Sequence, residues 1–255
     1  MLTRTTYDLP TGRFHALVGG HGRTIVFLHG FPDHPATAVP FLTELCQRGF
    51  RVVAPWLRGY APSPLDGPYD LPSLVADIRA LIGNDDVDVV GHDWGAAITY
   101  VLCREMPIRR AVTLAVPDLI PFLRQLRRPR QLLHSWYMAA AQLDVIGLRT
   151  VDFLWRRWSP GFQLDDARRR ELHACLAQSL PAPLEYYRAF RKKLTDRTFI
   201  ASLRRPLTTP LLALHGADDG CVLPPRGSEV LANLGHFLHL EAPIAIADRI
   251  ASWLA

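Results

Sequence analysis

The run Gly91-His92-Asp93-Trp94-Gly95 sets a carboxylate between two glycines, each two positions from it. An apolar stretch, Val87 to Val90, precedes the run, and a helix-like stretch, Ala96 to Cys103, follows it. Small residues two positions either side of a central nucleophile mark a sharp strand-to-helix turn. Such a turn crowds its own flanks, so only glycine or another small residue fits there. The usual central residue is Ser; here it is Asp93. A carboxylate attacks a carbon bearing a leaving group and leaves an alkyl ester on the protein, where Ser would leave an acyl ester. The expected chemistry therefore moves from esters towards epoxides and alkyl halides.

A nucleophile in such a turn needs oxyanion donors, a base to activate water and an acid to orient that base. The chain offers them in the order nucleophile, acid, base. The donors expected are the backbone N–H groups of Trp94 and of Phe31, the latter in His29-Gly30-Phe31-Pro32, where Gly30 permits a tight turn and Pro32 fixes it. The base expected is His236, in Gly235-His236-Phe237 just before the last helical pattern; His239 competes from the same stretch but completes no such set. Two adjacent carboxylates, Asp218 and Asp219, follow the apolar run Leu211 to Leu214, and either could be the acid.

Short runs rich in Val, Ile and Leu would carry these residues: Thr24 to Leu28, Arg51 to Trp56, Asp86 to Val90, Ala111 to Val116 and Leu211 to Leu214. Runs of that length suit strands buried on both faces of a parallel sheet. Helical patterns lie between or after them, over Val39 to Arg48, Leu71 to Ile82, Gly95 to Glu105 and Pro243 to Leu254. The alternation argues for an α/β fold. It breaks after Val116, where about ninety residues are helix-like and rich in aromatics. Residues 118–205 are therefore expected to form a helical cap inserted into a sheet domain made of 1–117 and 206–255.

The 255 residues suit one large domain with such an insertion. No apolar run reaches the length of a membrane span, and the first ten residues lack a secretory pattern. The four cysteines (46, 103, 175, 221) are scattered without metal-ligand spacing, which suits reduced thiols and a cytoplasmic location. The net charge of +5 is uneven: residues 118–205 hold 17 Lys or Arg against 8 Asp or Glu, a balance of +9. That balance fits a basic surface for an acidic partner or membrane face, or an ordinary solvated helical surface. The basic residues are not interleaved with aromatics in the way that nucleic-acid binding requires.

Taken together, His29 to Pro32, Arg58-Gly59-Tyr60, Gly91 to Gly95, Ser135-Trp136-Tyr137, Tyr186-Tyr187-Arg188, Gly216 to Asp219 and Gly235 to Glu241 span almost the whole chain. In this order they resemble the epoxide hydrolases of the α/β-hydrolase fold, the branch with an Asp nucleophile and a helical cap, close to haloalkane dehalogenases. The resemblance implies a mostly parallel central sheet flanked by helices. It implies Asp219 rather than Asp218 as the acid, three residues after Gly216. It implies two cap tyrosines, Tyr137 and Tyr187, whose phenols hold and protonate the epoxide oxygen, since an alkoxide is a poor leaving group. Implied partners are a small apolar epoxide and water, with no organic cofactor, no metal, no nucleic acid and no stable membrane insertion, in a monomer or homodimer. Trp136, Met138 and Phe31 are pocket candidates. Trp155, Trp158 and Phe153 could join them or fill the cap's own core.

The chain departs from that pattern in three places. Asp33 is shorter than the more frequent Glu, and Pro117-Asp118 stands where Pro-His is common. Only 16 residues separate Asp219 from His236, where the family fits a helix. A parallel crossover needs roughly a dozen residues, so the sheet is expected to close through a short connection. One side of it would then be thinly covered, where a partner subunit could sit. A haloalkane dehalogenase would use the same Asp93, Asp219 and His236, with the Trp94 indole on the halide, but would leave the tyrosines without a task. A non-catalytic ligand-binding relative normally loses part of the triad, and here all three positions are filled.

Overall fold

The computed structural model describes residues 1–255. Eight strands form one sheet in the order β1-β2-β4-β3-β5-β6-β7-β8. They are β1 (Thr3–Leu9), β2 (Gly12–Gly19), β3 (Arg23–Leu28), β4 (Phe50–Pro55), β5 (Val87–His92), β6 (Ala111–Leu114), β7 (Leu211–Gly216) and β8 (Glu229–Leu231). From β4 to β8 all pairings are parallel; β1–β2 and β2–β4 are antiparallel. This is the α/β-hydrolase fold expected from the sequence.

Strands β5 and β6 are buried along their whole length, as sandwiching by helices on both faces requires. Helix α1 (Val39–Gln47) packs with the C-terminal helix α12 (Pro243–Leu254). Helix α2 (Leu71–Ile82), capped by the Asp70 side chain, packs with α3 (Trp94–Glu105). The β1–β2 hairpin is not among the strands expected from apolar runs. Its first strand is mostly solvent-exposed and polar, so it lacks the pattern that marks the central strands.

Seven α-helices and one 3-10 turn separate β6 from β7, with no strand among them. They are α4 (Leu119–Gln125), α5 (Pro129–His134), α6 (Trp136–Ala140), α7 (Leu148–Trp158), α8 (Asp166–Ser179), α9 (Glu185–Lys193) and α10 (Arg197–Leu203), the turn being Ala182–Leu184. A last short helix, α11 (Leu238–Glu241), precedes α12. Asp118 caps α4 through the Leu119 amide at 2.8 Å and pairs with Arg104 at 2.5 Å, so the residue that departs from Pro-His starts the insertion.

The short connection is as expected: β8 pairs with β7 through residues 217–228, which contain no helix. Leu211 and Ala213 stay half-buried on this edge, and Val230 is exposed. The loops are held from elsewhere. The Trp158 carbonyl, at the end of α7, accepts from the Gly220 amide at 3.2 Å and the His236 amide at 3.0 Å. Glu241 accepts from the Gly235 amide at 2.9 Å and from the Ser159 hydroxyl at 2.7 Å.

A buried ion pair ties the Arg58-Gly59-Tyr60 segment to α2. Arg58 donates to Asp77 through Nε at 2.8 Å and Nη2 at 2.5 Å, with both residues buried. The Tyr186 hydroxyl donates to the Arg58 carbonyl, so the inserted helices lean on the same segment. Removing one partner of such a pair strands a charge in the interior. Asp77→Ala is expected to cost about 3–5 kcal/mol, read as a lower urea midpoint in equilibrium unfolding.

Candidate active site

Asp93 sits between β5 and α3 with φ +53°, a conformation that non-glycine residues rarely adopt. A Cβ at Gly95 would run into the Leu28 carbonyl, and one at Gly30 into the Asp93 side chain. The glycines are therefore set by close approach. The turn lifts Asp93 to the carboxyl end of the sheet, where sites of open α/β sheets lie.

The Phe31 amide donates to Asp93 Oδ1 at 2.8 Å. His29 shapes that loop: its Nδ1 contacts the Gly30 carbonyl at 3.0 Å, and its Nε2 accepts from the Leu57 amide at 3.1 Å. Trp94 follows as the first residue of α3, its ring against Tyr187 at a centroid distance of 5.1 Å.

His236 is wholly buried between two carboxylates. Its Nδ1 is 2.9 Å from Asp219 Oδ2, and its Nε2 is 3.6 Å from Asp93 Oδ2. Asp219 Oδ1 accepts from the Cys221 amide at 2.6 Å and the Val222 amide at 3.0 Å, which fixes the carboxylate. Asp218 is exposed. Burial works against a charged His236, but Asp219 and then Asp93 outweigh it, and the imidazole is pushed up to about 10. His239 points elsewhere. It is enclosed by Phe27, Phe41 and His92, and burial pushes it down to about 3.

The two sequence-flagged tyrosines meet above Asp93. Tyr137 and Tyr187 are both buried, with ring centroids 5.7 Å apart. Burial, with the nearby charge of Asp93, holds both phenols well above their ordinary value. The Tyr187 hydroxyl has no hydrogen-bond partner, and the Cys221 thiol donates to the Tyr137 hydroxyl at 3.3 Å. Tyr186, the neighbour of Tyr187, spends its hydroxyl on Arg58 instead.

Asp93, Tyr137 and Tyr187 face a small pocket of about 40 Å³ lined also by Trp94, Ala97, Val116, Leu119, Phe122, Met138, Phe190 and Val222. Met138 is in the wall. Trp136 is not: it is 40% exposed and packs on Phe153. Neighbours on a helix point about 100° apart, so with Tyr137 facing in, Trp136 faces out. Phe31 also lies outside the lining and packs edge-on against Tyr187 at 5.8 Å. Trp155 and Trp158 are buried, Trp158 with its ring 5.0 Å from His236.

Leu119, Phe122 and Phe190 in the pocket wall, and Cys221 beside Tyr137, are residues that the sequence does not single out. The first three are ordinary apolar helix residues, and only their convergence marks them. Cys221 lies two residues after Asp219, a proximity that could have drawn notice. The fold also gathers Asp33, His92 and His239 behind the site, with donor atoms within 4.8 Å of one another. Burial holds Asp33 up at about 7.

The model of the alpha/beta hydrolase family matches residues 25–249. The chain belongs to that family. Among its curated relatives is the "Soluble epoxide hydrolase" of Corynebacterium sp. (strain C12), 27% identical over 95% of this chain and 94% of the relative. Another is the "AB hydrolase superfamily protein YfhM" of Bacillus subtilis (strain 168), 31% identical over 91% of this hydrolase and 90% of the relative. Among solved structures, a mutant of an epoxide hydrolase from Bacillus megaterium superposes with a TM-score of 0.82 at 24% identity, covering 98% of this chain and 99% of that one. At that identity the likeness shows a shared fold.

A raised His236 value has a definite sign. The cation contributes stability that is fully present below the unfolded value of about 6.5 and is lost as pH rises through about 10. Asp219→Asn removes the foremost cause of that rise and should move the His236 titration to lower pH, read from imidazole ¹⁵N shifts. An unmoved titration would contradict the electrostatic account.

Proposed function

We propose that this hydrolase opens epoxides to vicinal diols through a covalent Asp93 ester. The reading rests on the two buried phenols, Tyr137 and Tyr187, placed across one apolar pocket from Asp93. A relative named as an epoxide hydrolase, matched across nearly the whole chain, supports it. Residues 118–205 act in this proposal as the cap that carries both phenols.

Asp93 Oδ2 attacks an epoxide carbon, and the carbon–oxygen bond breaks. Tyr137 or Tyr187 passes its proton to the leaving oxygen, which becomes a hydroxyl. A phenol held protonated by burial is available for this at any ordinary pH. The ester has no charge, so His236 loses one of the two anions that raise its basicity. Its proton then returns to the tyrosinate, and the neutral imidazole becomes a base when hydrolysis needs one. His236, steadied by Asp219, takes a proton from water, and the hydroxide adds to the Asp93 carboxyl carbon. The Phe31 amide, already on Oδ1, and the Trp94 amide receive the developing oxyanion. Collapse expels the diol oxygen, which takes the His236 proton. The proton of the restored Asp93 then passes to His236, which regenerates the resting state.

His236→Gln should permit alkylation and block hydrolysis, so intact-mass spectrometry should find Asp93 carrying the mass of one epoxide. An unmodified protein after prolonged incubation with an epoxide that the wild type turns over would defeat the scheme. Tyr187→Phe is expected to lower kcat/KM by about 10²-fold or more, with Tyr137→Phe in the same direction.

The competing reading is a haloalkane dehalogenase, favoured by Trp94 in the pocket wall beside Asp93. Diol from styrene oxide without bromide from 1-bromobutane supports the epoxide. Bromide without diol supports the halide, and neither product across a wide panel points to a binding protein.

A further inference from the structure

Seven arginines between α4 and the end of α7 stand outside the ion pairs of the fold. Arg124, Arg127, Arg128, Arg130, Arg149, Arg156 and Arg157 are all exposed and none forms an ion pair, whereas the nearby Arg104, Arg168 and Arg188 do. The only acidic residues in this stretch, Asp144 and Asp152, are already paired, with Arg188 and His173. The same stretch holds six of the protein's eleven exposed large apolar side chains: Leu132, Leu133, Trp136, Leu143, Val145 and Phe153. The Trp136 and Phe153 rings touch at 6.1 Å, Leu132 and Leu133 lie near the end of the helix just before Trp136, and Leu143 and Val145 lie in the loop between α6 and α7.

We infer that this face docks peripherally on an anionic lipid surface. Unpaired cations and exposed Leu, Phe and Trp carried by the same stretch match a negative headgroup layer over hydrocarbon, where Arg and Trp can each keep a polar end wet. A nucleic acid or acidic polypeptide would engage the arginines but leave the leucines in water. A second copy, meeting face to face, would bring two sets of unpaired arginines together, which repel. No helix is long and apolar enough to cross a membrane, so the contact is adsorption rather than spanning. The pocket wall shares these elements: Met138 lies two residues from Trp136 on α6, and Leu119 and Phe122 lie on α4. If the epoxide reading holds, an apolar substrate dissolved in the bilayer would be released beside the pocket. The docking itself does not depend on that reading.

The test is sedimentation of the full chain with vesicles of phosphatidylcholine alone and of phosphatidylcholine mixed with phosphatidylglycerol. At low salt, binding to the mixed vesicles should be about tenfold stronger or more and should weaken as salt is added. The double variant Leu133→Asp, Phe153→Ser should lose most of that binding while keeping its circular dichroism and thermal midpoint. Arg127→Glu with Arg128→Glu should do the same by removing charge alone. Equal binding to both vesicle types overturns the proposal. So does undiminished binding of the apolar variant, which would reduce the surface to electrostatics. Retention on duplex DNA or an acidic polypeptide with no vesicle binding overturns it too. Vesicle binding requires no turnover, so its failure is separate from any failure of the epoxide assay.

Discussion

Two carboxylates buried on either side of one imidazole set the terms for this molecule. Asp93, Asp219 and His236 are each almost wholly removed from water. Buried ions are tolerated only when paired and hydrogen-bonded. One cation between two anions leaves a negative charge still to be offset, and backbone N–H groups do this. Phe31 serves Asp93, and Cys221 with Val222 serves Asp219. The loops after β3, β5 and β7 must therefore be shaped so that amides, rather than carbonyls, face inward. Gly30, Gly95 and the positive φ of Asp93 follow from that demand.

The inserted helices are part of the same arrangement. The end of α7 ties the Asp219 loop and the His236 loop together through one carbonyl, that of Trp158. Ser159 adds a bond to the Phe237 amide at 3.0 Å. This explains how a connection without a helix, between β7 and β8, still holds Asp219 and His236 in register. The restraint that a crossover helix would give comes from the insertion instead. Tyr186 and Tyr187 divide the labour at the other side, one anchoring to Arg58 and the other facing the pocket.

Much of this was legible in the sequence where the signal is local. The central strands announce themselves because burial on both faces demands unbroken apolar runs. The glycine-flanked Asp93 announces its turn because sterics there act over two residues. The exposed β1–β2 hairpin carries no such signal, because a strand wetted along most of its length needs no apolar run. Trp136 and Tyr137 are adjacent and both aromatic, and composition cannot say which one faces the pocket. The phase of a five-residue helix decides it.

The sequence by itself determined the fold family, the order of the central strands and helices, and a short set of side chains with the right chemistry. It could do so because turn sterics and apolar periodicity are properties of neighbouring residues. Only the tertiary structure set His236 between Asp219 and Asp93, left Asp218 in solvent and turned His239 towards Phe27, Phe41 and His92. It alone gave His236 its raised basicity, since that depends on charges brought in from distant parts of the chain and on the loss of water around them.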